Sequence, residues 1–274
     1  MDSLKLAVLV IVASFSPYSM AQDIRDTFLD STEFKPVKIE SEIKNSIGTF
    51  TQLSNFVFRP AGEGPFPAVV IMHPCGGIQV PHMRLHGQEL LKEGYVVLML
   101  DSFGPRGMQN CARGPLSAAA GVADAYAALA FLDGLPFVDK TRIYQTGYSW
   151  GAIVSTLLAS PQSAKFVGAS LRFRATVSNY STCVYQGKYH FLLKDTDRPV
   201  LMLIGARDEE LPPASCFPLL DELKSAGAPV QWYVFPDATH SWDYRGAPNR
   251  AFVYSEETSR LATMRMLDFF AQNR

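Results

Sequence analysis

Residues 142–151 read Arg142-Ile-Tyr-Gln-Thr-Gly147-Tyr148-Ser149-Trp150-Gly151. A run of strand character enters a G-x-S-x-G pattern and leaves into the helical period of Trp150 to Ala159. A serine carried through so sharp a reversal needs minimal side chains two residues before and two residues after it, because a Cβ there would strike the neighbouring backbone. Such a turn exposes the Ser149 hydroxyl. It also puts the Trp150 N–H in the first turn of a helix, aimed at an oxygen that becomes negative when a carbonyl is attacked. A plain strand-helix turn with a capping serine uses the same five residues, so the reading depends on what lies around them.

Working outward, strand-like runs are predicted over Gln52–Phe58, Ala68–Met72, Tyr95–Leu100, Arg142–Thr146, Phe173–Ser178, Val200–Ile204 and Val230–Phe235. Helical periods are predicted from Pro81 to Gly94, Leu116 to Leu132, Trp150 to Ala159, Ala214 to Ser225 and Glu257 to Phe270. Ala68–Met72 is apolar at every position, as an interior strand covered on both faces requires. Strand and helix alternating in this way predict an α/β class protein. Its mostly parallel central sheet has about seven to eight strands, with right-handed helical crossovers on both faces. Reactive groups in such sheets gather at the carboxyl ends of the strands.

Those ends carry the partners a serine needs. Its hydroxyl is a poor nucleophile until a histidine takes its proton, and the histidine must be held in one tautomer by a carboxylate. Val200–Ile204 runs into Gly205-Ala-Arg-Asp208, and Val230–Phe235 into Pro236-Asp-Ala-Thr-His240. Asp208 and His240 are therefore the candidate acid and base, with Glu209 or Glu210 as alternatives for the acid. The strand Ala68–Met72 opens into His73-Pro74-Cys75-Gly76-Gly77. Its glycines permit close backbone approach to substrate, so the Cys75 N–H, or alternatively that of Gly76, joins Trp150 as a candidate oxyanion donor. His73 before Pro74 reads as loop-shaping. Cys75 lacks the strand-turn-helix that would present it as a nucleophile.

The 274 residues are 47% apolar and 19% charged, which excludes a disordered, collagenous or coiled-coil chain. With 25 basic against 26 acidic residues and no run of like charge, there is no footprint for nucleic acid or an anionic membrane surface. Met1–Gln22 has Lys5, an apolar stretch from Leu6 to Phe15 and small residues at Ser19 and Ala21, a secretory leader pattern despite Asp2. That stretch is shorter than the roughly 18 to 20 residues of a spanning helix, so no permanent membrane anchor is expected. Cleavage after Ala21 would leave one domain, 22–274, in the periplasm or outside the cell. The cysteines Cys75, Cys111, Cys183 and Cys216 are then compatible with disulfides in any of three pairings, and without C-x-x-C they suggest no zinc site. His82 and His86, spaced i, i+4 with no general base between them, read as surface histidines of a helix rather than metal ligands.

Taken together, His73-Pro-Cys-Gly-Gly77, Asp101-Ser-Phe-Gly-Pro-Arg-Gly107, the Ser149 turn, Gly205-x-x-Asp208 with Pro213-Ala214 and Cys216, and Ala238-Thr-His240 resemble the dienelactone hydrolase family of the α/β-hydrolase fold. The resemblance covers about residues 50–272. It implies a Ser149-Asp208-His240 triad, an acyl-enzyme, a small-molecule ester substrate, and neither cofactor nor metal. The family archetype has a cysteine nucleophile with a glutamate in the oxyanion loop, where this chain has Ser149 and Pro74. The archetype also grips a substrate carboxylate with two arginines. Arg106 stands as the first of these, while Cys216 stands where a second is expected, which points to a broader carboxylesterase.

Arg106 and Tyr148 are the candidate substrate contacts, and Arg106 reads equally well as a structural residue. The loop topology suggests Cys75 with Cys111 and Cys183 with Cys216, although the sequence does not decide the connectivity. The connection from Asn179 to Arg198, with Tyr180, Tyr185, Tyr189 and Phe191, either walls the pocket or packs on the sheet. Transfer to another acceptor, peptide hydrolysis and non-catalytic binding on the same fold remain alternatives.

Overall fold

The computed structural model describes residues 35–47, 54–114, 116–185, 187–246 and 250–274. The leader and its cleavage site lie outside them, as do the first residues of the predicted strand 52–58. In chain order come β1 (Ile43–Lys44), β2 (Phe56–Phe58), β3 (Phe66–Met72), α1 (Pro81–Lys92), β4 (Val96–Leu100) and α2 (Ala118–Asp133). Then follow β5 (Val138–Tyr148), α3 (Trp150–Leu158), α4 (Pro161–Val167), β6 (Thr176–Asn179), β7 (Val184–Tyr185), β8 (Tyr189–His190), β9 (Val200–Gly205), α5 (Cys216–Ser225), β10 (Val230–Phe235) and α6 (Glu256–Gln272).

Eight strands form the main sheet in the order β1-β2-β4-β3-β5-β6-β9-β10. Every neighbouring pair is parallel except β2 with β4. The all-apolar strands explain why both faces are covered. From β3 and β4, Ala68, Val70, Met72, Val96, Leu98 and Leu100 pack on one side with α2 and α3. Val69, Ile71, Val97 and Met99 pack on the other with Met83 and Leu90 of α1 and Met266, Phe269 and Phe270 of α6. Each of the Val, Leu, Ile, Met and Phe side chains, fully withdrawn from water, contributes about 1.5–3 kcal/mol before its entropy cost.

The differences from the sequence reading have local causes. β5 begins four residues earlier than predicted because Asp139, Lys140 and Thr141 hide its apolar signal. Asp139 accepts there from the Thr141 N–H and the Arg142 guanidinium. The short α4, capped by Ser160 onto the Gln162 N–H, went unpredicted, as did the hairpin of β7 and β8. Strand β6 runs Thr176–Asn179 rather than from Phe173. The ends of β5, β9 and β10 lie along one edge of the sheet, which brings the loops carrying Ser149, Asp208 and His240 together.

Candidate active site

Ser149 joins β5 to α3 with φ 52° and ψ −111°, a left-handed conformation that a side-chain-bearing residue adopts at a cost. Its neighbours explain the motif. A Cβ on Gly147 would lie 2.1 Å from the Gly151 carbonyl oxygen, and one on Gly151 would lie 2.6 Å from that of Met72. The turn is held by the Ser149 N–H donating to the Asn179 carbonyl at 3.1 Å and the Gly151 N–H donating to that of His73 at 3.2 Å.

The hydroxyl of Ser149 is 2.9 Å from His240 Nε2, and His240 Nδ1 is 2.7 Å from Asp208 Oδ2. With the ring proton on Nδ1, the imidazole donates to the carboxylate and leaves Nε2 to accept from the serine. The other carboxylate oxygen accepts from the Glu210 and Leu211 N–H groups at 3.0 and 2.8 Å, which fixes the acid from both sides. All three residues are buried. The His240 ring is flanked edge-on by Tyr180 and Phe252, with centroids at 5.1 and 5.6 Å.

Ser149 opens onto a cleft of about 250 Å³ lined by Cys75, Leu116, Ala118, Trp150, Ile153, Tyr185, Phe191, Glu210 and Leu211. Cys75 and Trp150 are thus at the same opening as the serine. Among the described residues neither of their N–H groups donates to another protein atom. Cys75 is bridged to Cys111, and the Cys111 N–H donates back to the Cys75 carbonyl at 3.0 Å. Cys183 and Cys216 form the second bridge. The glycines after Cys75 serve the turn itself. Gly77 has φ +85°, and a Cβ there would sit 2.6 Å from the Gln109 carbonyl oxygen. His73 is buried, and burial lowers its pKa, so it stays neutral. Its Nδ1 is 2.8 Å from the Pro74 carbonyl oxygen, and its Nε2 accepts from the Ser102 N–H.

Both candidate substrate contacts require correction. The Arg106 guanidinium forks onto both oxygens of the buried Asp124 at 2.8 and 2.9 Å and donates to the Ser102 and Lys35 carbonyls. It ties its loop to α2 and does not line the cleft. Tyr148 lies behind the serine, buried, with its ring stacked on His86 at 4.4 Å. The aromatic connection divides: Tyr185 and Phe191 line the cleft, while Tyr180 is in the core.

His82 and His86 are not surface residues either, at 4% and 8% exposure. His86 Nε2 meets Asp243 Oδ2 at 2.7 Å, and Asp243 also accepts from the Tyr180 hydroxyl at 3.0 Å. Burial opposes the charge on His86, but the hydrogen bond and field of Asp243, helped by Glu89, raise its pKa to about 9. Burial likewise opposes the charge on Asp243, and His86 nonetheless holds its carboxyl below the usual range. The signal for this pair was present as an aspartate three residues beyond His240. Asp124, the partner of Arg106, is the buried carboxylate of the alanine-rich α2.

Residues 53–274 match the model of the Dienelactone hydrolase family. A candidate carboxymethylenebutenolidase of Methylorubrum extorquens is 26% identical over 225 residues, covering 78% of this chain and 74% of that one. Among solved structures, a candidate dienelactone hydrolase from Klebsiella pneumoniae superposes with a TM-score of 0.63 at 24% identity, over 79% of this chain and 91% of that one. Thermogutta terrifontis esterase 2 with butyrate bound superposes with a TM-score of 0.58 at 15% identity, over 79% and 88%.

Proposed function

The chain belongs to the dienelactone hydrolase family, with its α/β-hydrolase fold, and acts as a hydrolase on ester bonds; we propose that it does so as a serine carboxylesterase through Ser149, His240 and Asp208. The reading is carried by the unbroken chain from the Ser149 hydroxyl to His240 to Asp208, at 2.9 and 2.7 Å, starting from a serine held in a strained turn. His240 takes the hydroxyl proton as Ser149 Oγ bonds to the ester carbonyl carbon, and the carbonyl electron pair moves onto its oxygen. That oxyanion is received by the N–H groups of Trp150 and Cys75. The C–O bond to the alcohol then breaks, the imidazolium protonates the departing alkoxide, and water repeats the cycle on the acyl-enzyme. Asp208 holds the ring tautomer and stabilises the imidazolium. Every step uses side chains, backbone and water, with no cofactor.

The natural substrate in this reading is a small-molecule ester, and the protein works in the periplasm or outside the cell. The leader pattern and the two disulfide bridges support that location. Among the described residues no helix is long and apolar enough to cross a membrane. The test pairs p-nitrophenyl butyrate turnover with labelling by a fluorophosphonate probe and peptide mapping. The expected result is turnover by the wild type and a single labelled serine, Ser149, with both signals lost in Ser149→Ala. Turnover surviving that substitution would sink the mechanism.

A further inference from the structure

The cleft beside Ser149 has a definite chemical character. Leu116, Ala118, Ile153, Phe191 and Leu211 make its walls apolar, and among the described residues that line it none is cationic. Among the described lining residues the charge is that of Glu210, which is exposed at the opening. The backbone that carries it is held, because the Glu210 N–H donates to the same Asp208 carboxylate that orients His240. The nearby bases do not neutralise it. Arg250 pairs with Glu209 at 3.0 Å and Arg207 with Asp237 at 3.1 Å, and among the described residues no ion pair reaches Glu210. Arg106, the one arginine the sequence offered for an anionic substrate, donates from both terminal nitrogens to Asp124 and to the Ser102 and Lys35 carbonyls.

A carboxylate entering this space would lose water, find no counter-ion among the described lining residues and face a like charge, each of which opposes binding. A short hydrocarbon acyl group loses nothing of the kind and gains the apolar walls. The volume of about 250 Å³ is below the roughly 300 Å³ at which pockets for drug-sized ligands begin, which suits an acyl chain of a few carbons. We infer that this chain takes esters of short, uncharged acyl groups and rejects acyl groups bearing a carboxylate, with Glu210 as the discriminating residue. The inference rests on the serine esterase reading above and separates this chain from the relatives named as carboxymethylenebutenolidases. Their name denotes a lactone with a carboxymethylene group, an anion at neutral pH.

The test compares two 4-methylumbelliferyl esters of equal acyl length, the butyrate and the mono-succinate, which differ in one terminal carboxylate. For the wild type at low salt, kcat/KM for the butyrate exceeds that for the succinate by about tenfold or more, and the gap narrows as ionic strength rises because Glu210 is exposed. Glu210→Gln shrinks the ratio by about threefold, and Glu210→Lys shrinks it further or reverses it. Equal turnover of the two esters by the wild type, or a ratio that none of salt, Glu210→Gln and Glu210→Lys moves, would overturn the assignment. Fluorophosphonate labelling of the same preparations keeps the two readings apart. Labelled Ser149 with no preference between the esters removes the charge selectivity and leaves the esterase. Protein that neither labels nor turns over either ester removes both.

Discussion

Two histidine–aspartate pairs stand back to back in this molecule, and their geometry is nearly the same. His240 and Asp208 are 2.7 Å apart at the cleft, and His86 and Asp243 are 2.7 Å apart behind it. Both pairs are buried, and Tyr180 touches both, its ring against His240 and its hydroxyl on Asp243. The difference lies at the far nitrogen of each ring. His240 Nε2 looks at the Ser149 hydroxyl, whereas among the described residues His86 Nδ1 faces only the Glu89 carboxylate, 3.9 Å away. A base needs a proton to take, and the rear pair is offered none. It is a structural ion pair, held charged by mutual attraction.

The sharpest way to break this distinction is to remove each acid in turn. Asp208→Asn lowers kcat by about 10⁴-fold, since an amide cannot hold the same tautomer or stabilise the imidazolium. Asp243→Asn changes kcat by less than about tenfold, because it touches no reacting atom. Steady-state kinetics on p-nitrophenyl butyrate decide the matter. An Asp243→Asn protein that melts like the wild type yet loses as much activity as Asp208→Asn would put the rear pair inside the chemistry.

The rear pair has its large effect on folding. Replacing one partner strands the other charge in a buried site, so His86→Leu or Asp243→Leu costs about 3–5 kcal/mol in chemical denaturation, while the double replacement recovers part of it. Single variants as stable as the wild type would mean that the pair is solvated in solution. The same reasoning makes Arg106→Ala destabilising by a similar amount through Asp124, with KM for a neutral ester little changed.

How far the two pairs could be read from sequence follows the same division. Ser149, Asp208 and His240 each follow an apolar strand within a few residues, so chain position alone brought them to one sheet edge. The rear pair left a weaker trace, an aspartate three residues beyond His240 with nothing local to tie it to α1. An i, i+4 spacing places His82 and His86 on one face of α1, but which face meets the sheet depends on α6 and the 241–244 loop, and these are distant in the chain. Arg106 failed for a related reason, since its partner Asp124 sits 18 residues on, inside a helix whose alanines signal only burial. The extent of β5 was obscured by local polarity. The strained φ of Ser149 was implied only through its glycines.

The charge state of the rear pair can be read through pH. His86 has a folded pKa raised to about 9 against an ordinary 6.5, so its contribution is fully present below about pH 6.5 and is lost as pH rises through 9. The expected loss is a few kcal/mol, a drop in Tm of about 5 °C or more between pH 6.5 and 9.5. His86→Leu, already destabilised, should show a flatter alkaline limb. Melting curves by circular dichroism at the two pH values check this, and an alkaline limb equally steep in the variant would assign the loss to another group.

Tyr180 offers the finest adjustment, because its side chain touches both the front and the rear pair. It holds φ at 45°, and its N–H donates to the Leu203 carbonyl, so the backbone is fixed whatever the hydroxyl does. Tyr180→Phe keeps the ring against His240 and removes only the donor to Asp243. The expected cost is about 1–3 kcal/mol of stability, as for a hydrogen bond to a charged acceptor, with kcat changed by less than about threefold. If kcat fell far more while the melting temperature held, the hydroxyl would be transmitting the field of Asp243 to His240. The two pairs would then be one electrostatic unit rather than a catalytic site and a brace behind it.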